Sequence, residues 1–195
     1  MKTDVYDEEV ETPTGDRRQR GNESGSSKPE ISKEEMMKKM QAAGTPGAAH
    51  KALNVFEGNW RAEVKCWSDP DGEANVSRAT SKQSWKFGGR FLEEEFHGEV
   101  MGKTFTGCRV LGFDNTKQKF NCCWVDDINT AMYFSEGKGE NDNKVITLEG
   151  KADCPMSGQK DVSMKQVFRV LSPDKHVLEM FNNNEKTMEI TYTRI

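Results

Sequence analysis

The chain has 195 residues and a formal net charge of −4, with 34% hydrophobic and 31% charged residues. That length suffices for one domain with a core plus an appendage, and so polar a balance calls for a tail outside the core. The acidic balance excludes a bulk electrostatic grip on nucleic acid, which needs a dense basic patch, and no apolar run is long enough for a membrane-crossing helix.

Residues 1–31 carry mainly Glu, Asp, Gly, Ser, Pro and Arg and have little to bury, which predicts a disordered tail. Its "RRQR" cluster, residues 17–20, serves solubility. The N-terminus lacks the apolar stretch of a signal peptide. The cysteines Cys66, Cys108, Cys122, Cys123 and Cys154 are odd in number and contain no CxxC spacing. They fit neither a disulfide framework nor a zinc site and read as reduced thiols, so the expected location is cytoplasmic.

Residues 32–57 read as short helices. Ser32 caps the first, Glu35 completes a capping box, and Gly44 stops it. Its Met36, Met37 and Met40 form a stripe expected to pack on the domain. The second helix is expected to start with Thr45 as cap and Pro46 at the first position, and to end near Phe56 before Gly58.

From residue 58 to residue 195 the hydrophobic period changes to that of strands. Runs from "NWRAEVKCW" to "KTMEITYTRI" are separated by turn chemistry such as "SDPDG", "DNTK", "ENDN" and "SPDK". No long helical pattern intervenes. The fold class is therefore all-β: an up-and-down antiparallel barrel of about eight to ten strands enclosing a cavity.

Within the barrel, "FLEEEFHGEV" places consecutive glutamates in a strand, so at least one acid shares a face with Leu92 and Phe96. Taking Gly88-Gly89 as a tight turn sets Trp85 opposite Leu92, Gln83 opposite Glu94 and Ser81 opposite Phe96. A turn at Met101-Gly102 sets Glu94 opposite Arg109. A loop over 114–117 then sets Arg109 opposite Cys122 and Gly107 opposite Trp124. All these turns give one inner face: Trp85, Leu92, Phe96, Phe105, Leu111, Phe113, Phe120, Cys122 and Trp124, with Glu94 beside Arg109. A slip of one residue would turn the whole set outward.

In the last hairpin, a loop at "NNNE" places Val177 and Glu179 on the face of Met188 and Ile190, continued by Tyr192 and Arg194. His176 then points outward. If the last strand pairs with the first, Arg194 arrives over Trp60 and closes one end by a cation–π contact.

Gly58-x-Trp60 after a short helix, with Arg194 near the end, resembles the calycin pattern of lipocalins and fatty-acid-binding proteins. The string "GGRFLEEEFHGEVMGKTFTGCRVLGFDNTKQKFNCCWVDDINTAMYFSEG", followed by "DCPMSGQK" and "MEITYTRI", resembles the bacterial domain-of-unknown-function family 1579. Phe113 stands where that family usually has Tyr, and Cys154 precedes Pro155. The resemblance spans roughly residues 48 to 195 and implies a calycin-like barrel with a cavity and no assigned chemistry.

The residues leave several readings open. The leading one is a small-molecule-binding barrel with Trp85, Glu94, Phe96, Phe105, Arg109, Cys122 and Trp124 lining the site and the Glu94–Arg109 pair orienting the ligand. An enzyme, isomerase or hydrolase, would use Glu94 as general acid or base. An interaction module would use the tail and the Met helix. His97 with Glu93, Glu95 and Glu99 sits on the outer face and does not converge on a metal site, and no inward histidine is available for haem, so no metal or cofactor is expected. Cys122 near Arg109 would have a favoured thiolate but lacks a neighbouring base.

Overall fold

The computed structural model describes residues 31–195 apart from residues 70, 101, 155 and 156. The tail expected over residues 1–31 lies outside the described residues except for Ile31.

Helix α1 spans Lys33–Gly44. Ser32 caps it, its side chain accepting from the Glu35 N–H at 3.1 Å. Contrary to expectation, the Met stripe does not dock: α1 buries no residue, and Met36, Met37 and Met40 are exposed. Its C-terminal end is held instead by Asn115, whose side-chain amide donates to the carbonyls of Ala42, Ala43 and Thr45. Helix α2 covers only Ala48–Ala52, followed by a 3-10 turn over Leu53–Phe56. Thr45 does not cap it; its hydroxyl bonds back to the Gln41 carbonyl at 2.6 Å, and the cap falls on Gly47.

Ten strands follow: β1 Gly58–Cys66, β2 Asn75–Lys86, β3 Phe91–Val100, β4 Lys103–Asp114, β5 Lys119–Asp126, β6 Tyr133–Glu140, β7 Val145–Ala152, β8 Val162–Ser172, β9 Lys175–Asn182 and β10 Glu185–Arg194. Each pairs antiparallel with its sequence neighbours, and β1 pairs with β10, so the sheet is a closed up-and-down barrel. Closure leaves no strand edge unpaired, which is the physical reason a long antiparallel meander curls on itself.

The alternate residues of each strand meet inside. Trp60, Leu92, Phe96, Leu111, Phe120, Ile146, Leu148, Phe168, Leu178 and Ile190 form the core together with Leu53 and Phe56 from the helical segment. Each large apolar side chain so buried contributes roughly 1.5–3 kcal/mol. The helical segment closes the end of the barrel where Gly58 and Arg194 lie. The other end carries no helix and is lined by half-buried Phe105, Trp124, Met180 and Met188.

Two registers differ from the sequence reading. The β2–β3 register is as expected, with Lys86 opposite Phe91 and Glu94 opposite Gln83, although its loop runs over residues 87–90, and Glu94 faces Arg109 on β4. The β4–β5 turn, however, falls one residue later. Asp114 accepts the N–H groups of Thr116 and Lys117 and pairs with Lys119, while Gln118 takes a left-handed φ of 54°. Arg109 therefore faces Trp124 rather than Cys122, and Gly107 faces Asp126 rather than Trp124. That shift is two residues along the strand, so every side chain keeps its face.

The β9–β10 hairpin departs more. Lys186 pairs with Phe181, but the register then shifts by one, so Met188 meets Met180 and Ile190 meets Leu178. The extra residue at this bulge exchanges the faces of β9. Val177 and Glu179 do not share the inner face with Ile190; His176 and Leu178 do, and both are buried. The outward placement of His176 is thereby overturned.

Candidate functional site

Three neighbouring strands deliver the polar centre of the barrel. On β3, Glu94 stands between Leu92 and Phe96 and is 2% exposed. On β2, the Ser81 hydroxyl donates to Glu94 Oε1 at 2.7 Å. On β4, Arg109 Nη1 donates to Glu94 Oε2 in a buried ion pair. The guanidinium carbon of Arg109 also lies 5.2 Å from the Trp124 ring centre and 5.3 Å from that of Phe168, between two aromatic faces. Burial is the largest single influence on Arg109 and lowers its pKa, but the Glu94 carboxylate together with Tyr192 and Cys122 outweighs it, and the group is held more firmly protonated than usual.

Around this pair the inner wall is unexpectedly polar. Gln83, Ser135, Gln166 and His176 are buried, and Tyr192 is fully buried. Among the described residues, Arg109 Nε, Gln166 Oε1 and His176 Nδ1 are buried polar atoms with no hydrogen-bond partner, whereas Tyr192 Oη faces Arg109 and Glu94, and Ser135 Oγ faces the Cys122 thiol. Tyr192 Oη lies near enough to the pair for Glu94 to raise and Arg109 to lower its pKa; burial dominates, and the phenol is held protonated well above its ordinary range.

His176 is stacked on Tyr192 with ring centres 4.3 Å apart and meets Trp60 and Phe56 edge-on. Burial, then the charges of Arg109 and Arg194, push its pKa down to about 3, so the imidazole is neutral. The sequence reading missed this residue because the β10 bulge reverses the face on which its strand is read. Gln166 and Ser135 were legible: each alternates with inward residues, Gln166 with Phe168 and Ser135 with Gly137.

Cys122 is on the inner wall, yet its thiolate is not favoured. Burial outweighs the attraction of Arg109 and pushes the thiol up to about 11. Trp85 belongs to the helical end, where its indole N–H donates to Asn54 Oδ1 at 2.9 Å. Phe96, Phe105 and Trp124 come together toward the uncovered end, with Phe105 and Trp124 inclined at 30° and centres 6.2 Å apart. Trp124 covers Gly107 so closely that an added Cβ would meet its ring at 2.2 Å. Its N–H is held by Asp126 at 2.9 Å.

The expected cavity is largely filled. The void beside the pair, walled by Gln83, Leu92, Glu94, Arg109, Phe168 and His176 among others, measures about 10 Å³. That is room for one water molecule.

At the helical end, the Arg194 guanidinium carbon sits 4.1 Å from the Trp60 ring centre. Its nitrogens donate to the carbonyls of Val55, Glu57 and Pro173. The Trp60 N–H donates to the Phe56 carbonyl at 2.8 Å. Gly58 has φ of 129° and lies so close to Arg194 that an added Cβ would meet Nη1 at 2.4 Å. The Gly-x-Trp pattern thus records a close approach that no side chain permits.

This run of residues, from the capping segment to Arg194, coincides with a family model: residues 45–194 match the protein of unknown function DUF1579. The chain belongs to the DUF1579 family. No curated protein matches it. Among solved structures, this DUF1579 chain is similar to a redesigned β-barrel, b11L5F_LGL, at 11% identity and a TM-score of 0.41, covering 74% of this chain and 95% of that one. It is also similar to a redesigned β-barrel, mFAP0, bound to DFHBI, at 11% identity and a TM-score of 0.40, covering 72% of this chain and 100% of that one. Likenesses at this level carry no argument about function.

Among the described residues of this DUF1579 protein, His97, Glu95 and Glu99 are exposed on the outer wall, and no three metal-binding side chains converge. No described helix is long and apolar enough to cross a membrane.

Proposed function

We propose that the barrel binds a small molecule in its interior, with Glu94 and Arg109 orienting its polar end and Phe96, Phe105 and Trp124 covering the remainder. One observation carries this reading: Arg109 Nε, Gln166 Oε1 and His176 Nδ1 are unpartnered polar atoms on the inner wall. Each buried polar group left unsatisfied costs about 1–3 kcal/mol, and native interiors contain few. A barrel that served only as a scaffold would be as stable, or more so, with apolar residues there.

The void holds one water, so a larger occupant displaces the half-buried Trp124–Phe105 plate at the uncovered end. Both oxygens of Glu94 are engaged, by Ser81 and Arg109, which favours an orienting role over proton transfer. Native mass spectrometry of protein purified from its own source tests the reading. The expected result is a reproducible added mass that Arg109→Met abolishes. A bare chain, together with a crystal structure showing each of those polar atoms bonded to ordered water, would refute it.

A second reading is favoured by the exposed Met36, Met37 and Met40 on α1, which suit an interaction module. Removing residues 1–44 separates the two: interior binding survives the truncation, and partner recruitment does not.

A further inference from the structure

The inner wall restricts what kind of molecule can occupy the barrel. Among the described residues, the ionisable groups buried on the inner wall are Glu94, Arg109, His176, Tyr192 and Cys122, with the half-buried Asp126 and Arg194 at opposite ends. Glu94 and Arg109 cancel each other. His176 is held neutral, and Tyr192 and Cys122 are held protonated. The interior therefore has no net charge to offer. An anion would find the buried guanidinium already neutralised, and a cation would find the buried carboxylate already taken. Either would enter a dry space as an uncompensated charge, the costliest thing a protein interior can hold.

The unused hydrogen-bonding capacity is of both kinds. Arg109 Nε–H offers a proton, whereas Gln166 Oε1 can only accept one. A carboxylate accepts and cannot donate, so it leaves Gln166 unsatisfied. An ammonium donates and cannot accept, so it leaves Arg109 Nε–H without an acceptor. A group presenting a carbonyl beside an N–H serves both. Resting on the binding reading above, we propose that the ligand is an uncharged molecule bearing a carboxamide-like group, and that the barrel rejects the matching carboxylate and ammonium.

The test uses the full chain at neutral pH and a panel of matched probes. Benzamide, benzoate and benzylammonium form one set; hexanamide, hexanoate and hexylammonium form another. Ligand-observed NMR and tryptophan fluorescence report binding. The amides are expected to bind about tenfold or more tighter than their charged partners. In Glu94→Gln the order should reverse toward the carboxylates, because Arg109 then lacks a counter-charge; near-UV circular dichroism verifies that this variant is folded. Should it not fold, the wild-type ranking alone decides. Carboxylates binding as tightly as amides to the wild type would overturn this inference while leaving the binding reading intact. Binding by no member of the panel would count against both.

Discussion

Arg194 and Trp60 face each other across the seam where the last strand meets the first, the guanidinium carbon 4.1 Å from the indole centre. The same guanidinium donates to the Val55, Glu57 and Pro173 carbonyls, so one side chain joins β10, the 3-10 turn and the β8–β9 turn. A lysine supplies the charge but not the planar fork that reaches several acceptors at once. Arg194→Lys should therefore recover little of the stability lost in Arg194→Ala, which we expect to be about 2–4 kcal/mol by urea denaturation. Full recovery by lysine would show that charge alone matters at the seam.

Glu94 and Arg109 are expected to show the asymmetry of buried ion pairs. Glu94→Ala leaves a guanidinium buried without its counter-ion and should cost about 3–5 kcal/mol. The double replacement Glu94→Met with Arg109→Met should be far less damaging, within about 2 kcal/mol of the wild type, since both charges leave together. A double-mutant cycle by chemical denaturation measures this. Additive losses would mean that the two side chains act independently.

Much of this architecture was legible because strand alternation is unforgiving. The placement of Glu94 opposite Arg109 followed from one hairpin turn, since a slip of one residue would have exposed Leu92 and Phe96 along with it. The β4–β5 turn was misplaced, but by an amount that moved Arg109 from Cys122 to Trp124 without moving it off the inner wall. A bulge has no such protection. The register shift between Lys186 and Met188 leaves no mark in the hydrophobic pattern, and it alone decides that His176 is inside. The filling of the barrel was equally invisible. It depends on Trp124 covering Gly107, a contact across strands that a pattern of alternation does not encode. The exposure of Met36 on α1 was also unreadable, because an apolar stripe states what a helix could bury and not whether anything lies beside it.

His176 should make the fold acid-sensitive above the range of ordinary carboxylates. Its pKa falls from 6.5 to about 3 on folding. A depressed pKa means that the unfolded chain binds the proton more readily. Stability is thus complete above the unfolded value and is lost as pH falls from it toward the folded value. Between about pH 7 and about pH 5 this amounts to roughly 2 kcal/mol. His50, also lowered by burial, acts in the same direction. Urea midpoints measured across that interval should fall steadily in the wild type and clearly less in His176→Phe. An equal slope in both would place the titration elsewhere.

Cys122 and its neighbour Cys123 should differ sharply as nucleophiles although they are adjacent in the chain. Thiolate, not thiol, reacts with an alkylating reagent. Cys122 is buried on the inner wall, and its thiol is pushed up to about 11 by that burial, with Arg109 offsetting only part. Cys123 faces outward on β5, is partly accessible, and is raised by burial alone. Iodoacetamide added to the folded protein should mark Cys123 while leaving Cys122 intact, and fragment-ion mass spectrometry distinguishes the two sites. Labelling of Cys122 should appear only as urea opens the barrel, tracking the global unfolding transition. If Cys122 were marked as quickly as Cys123 in native conditions, reagent would be reaching the inner wall without unfolding, and the Trp124–Phe105 plate would have to open freely in the unliganded state. Adding the best-binding amide should then slow that labelling, so the same measurement would report occupancy of the interior.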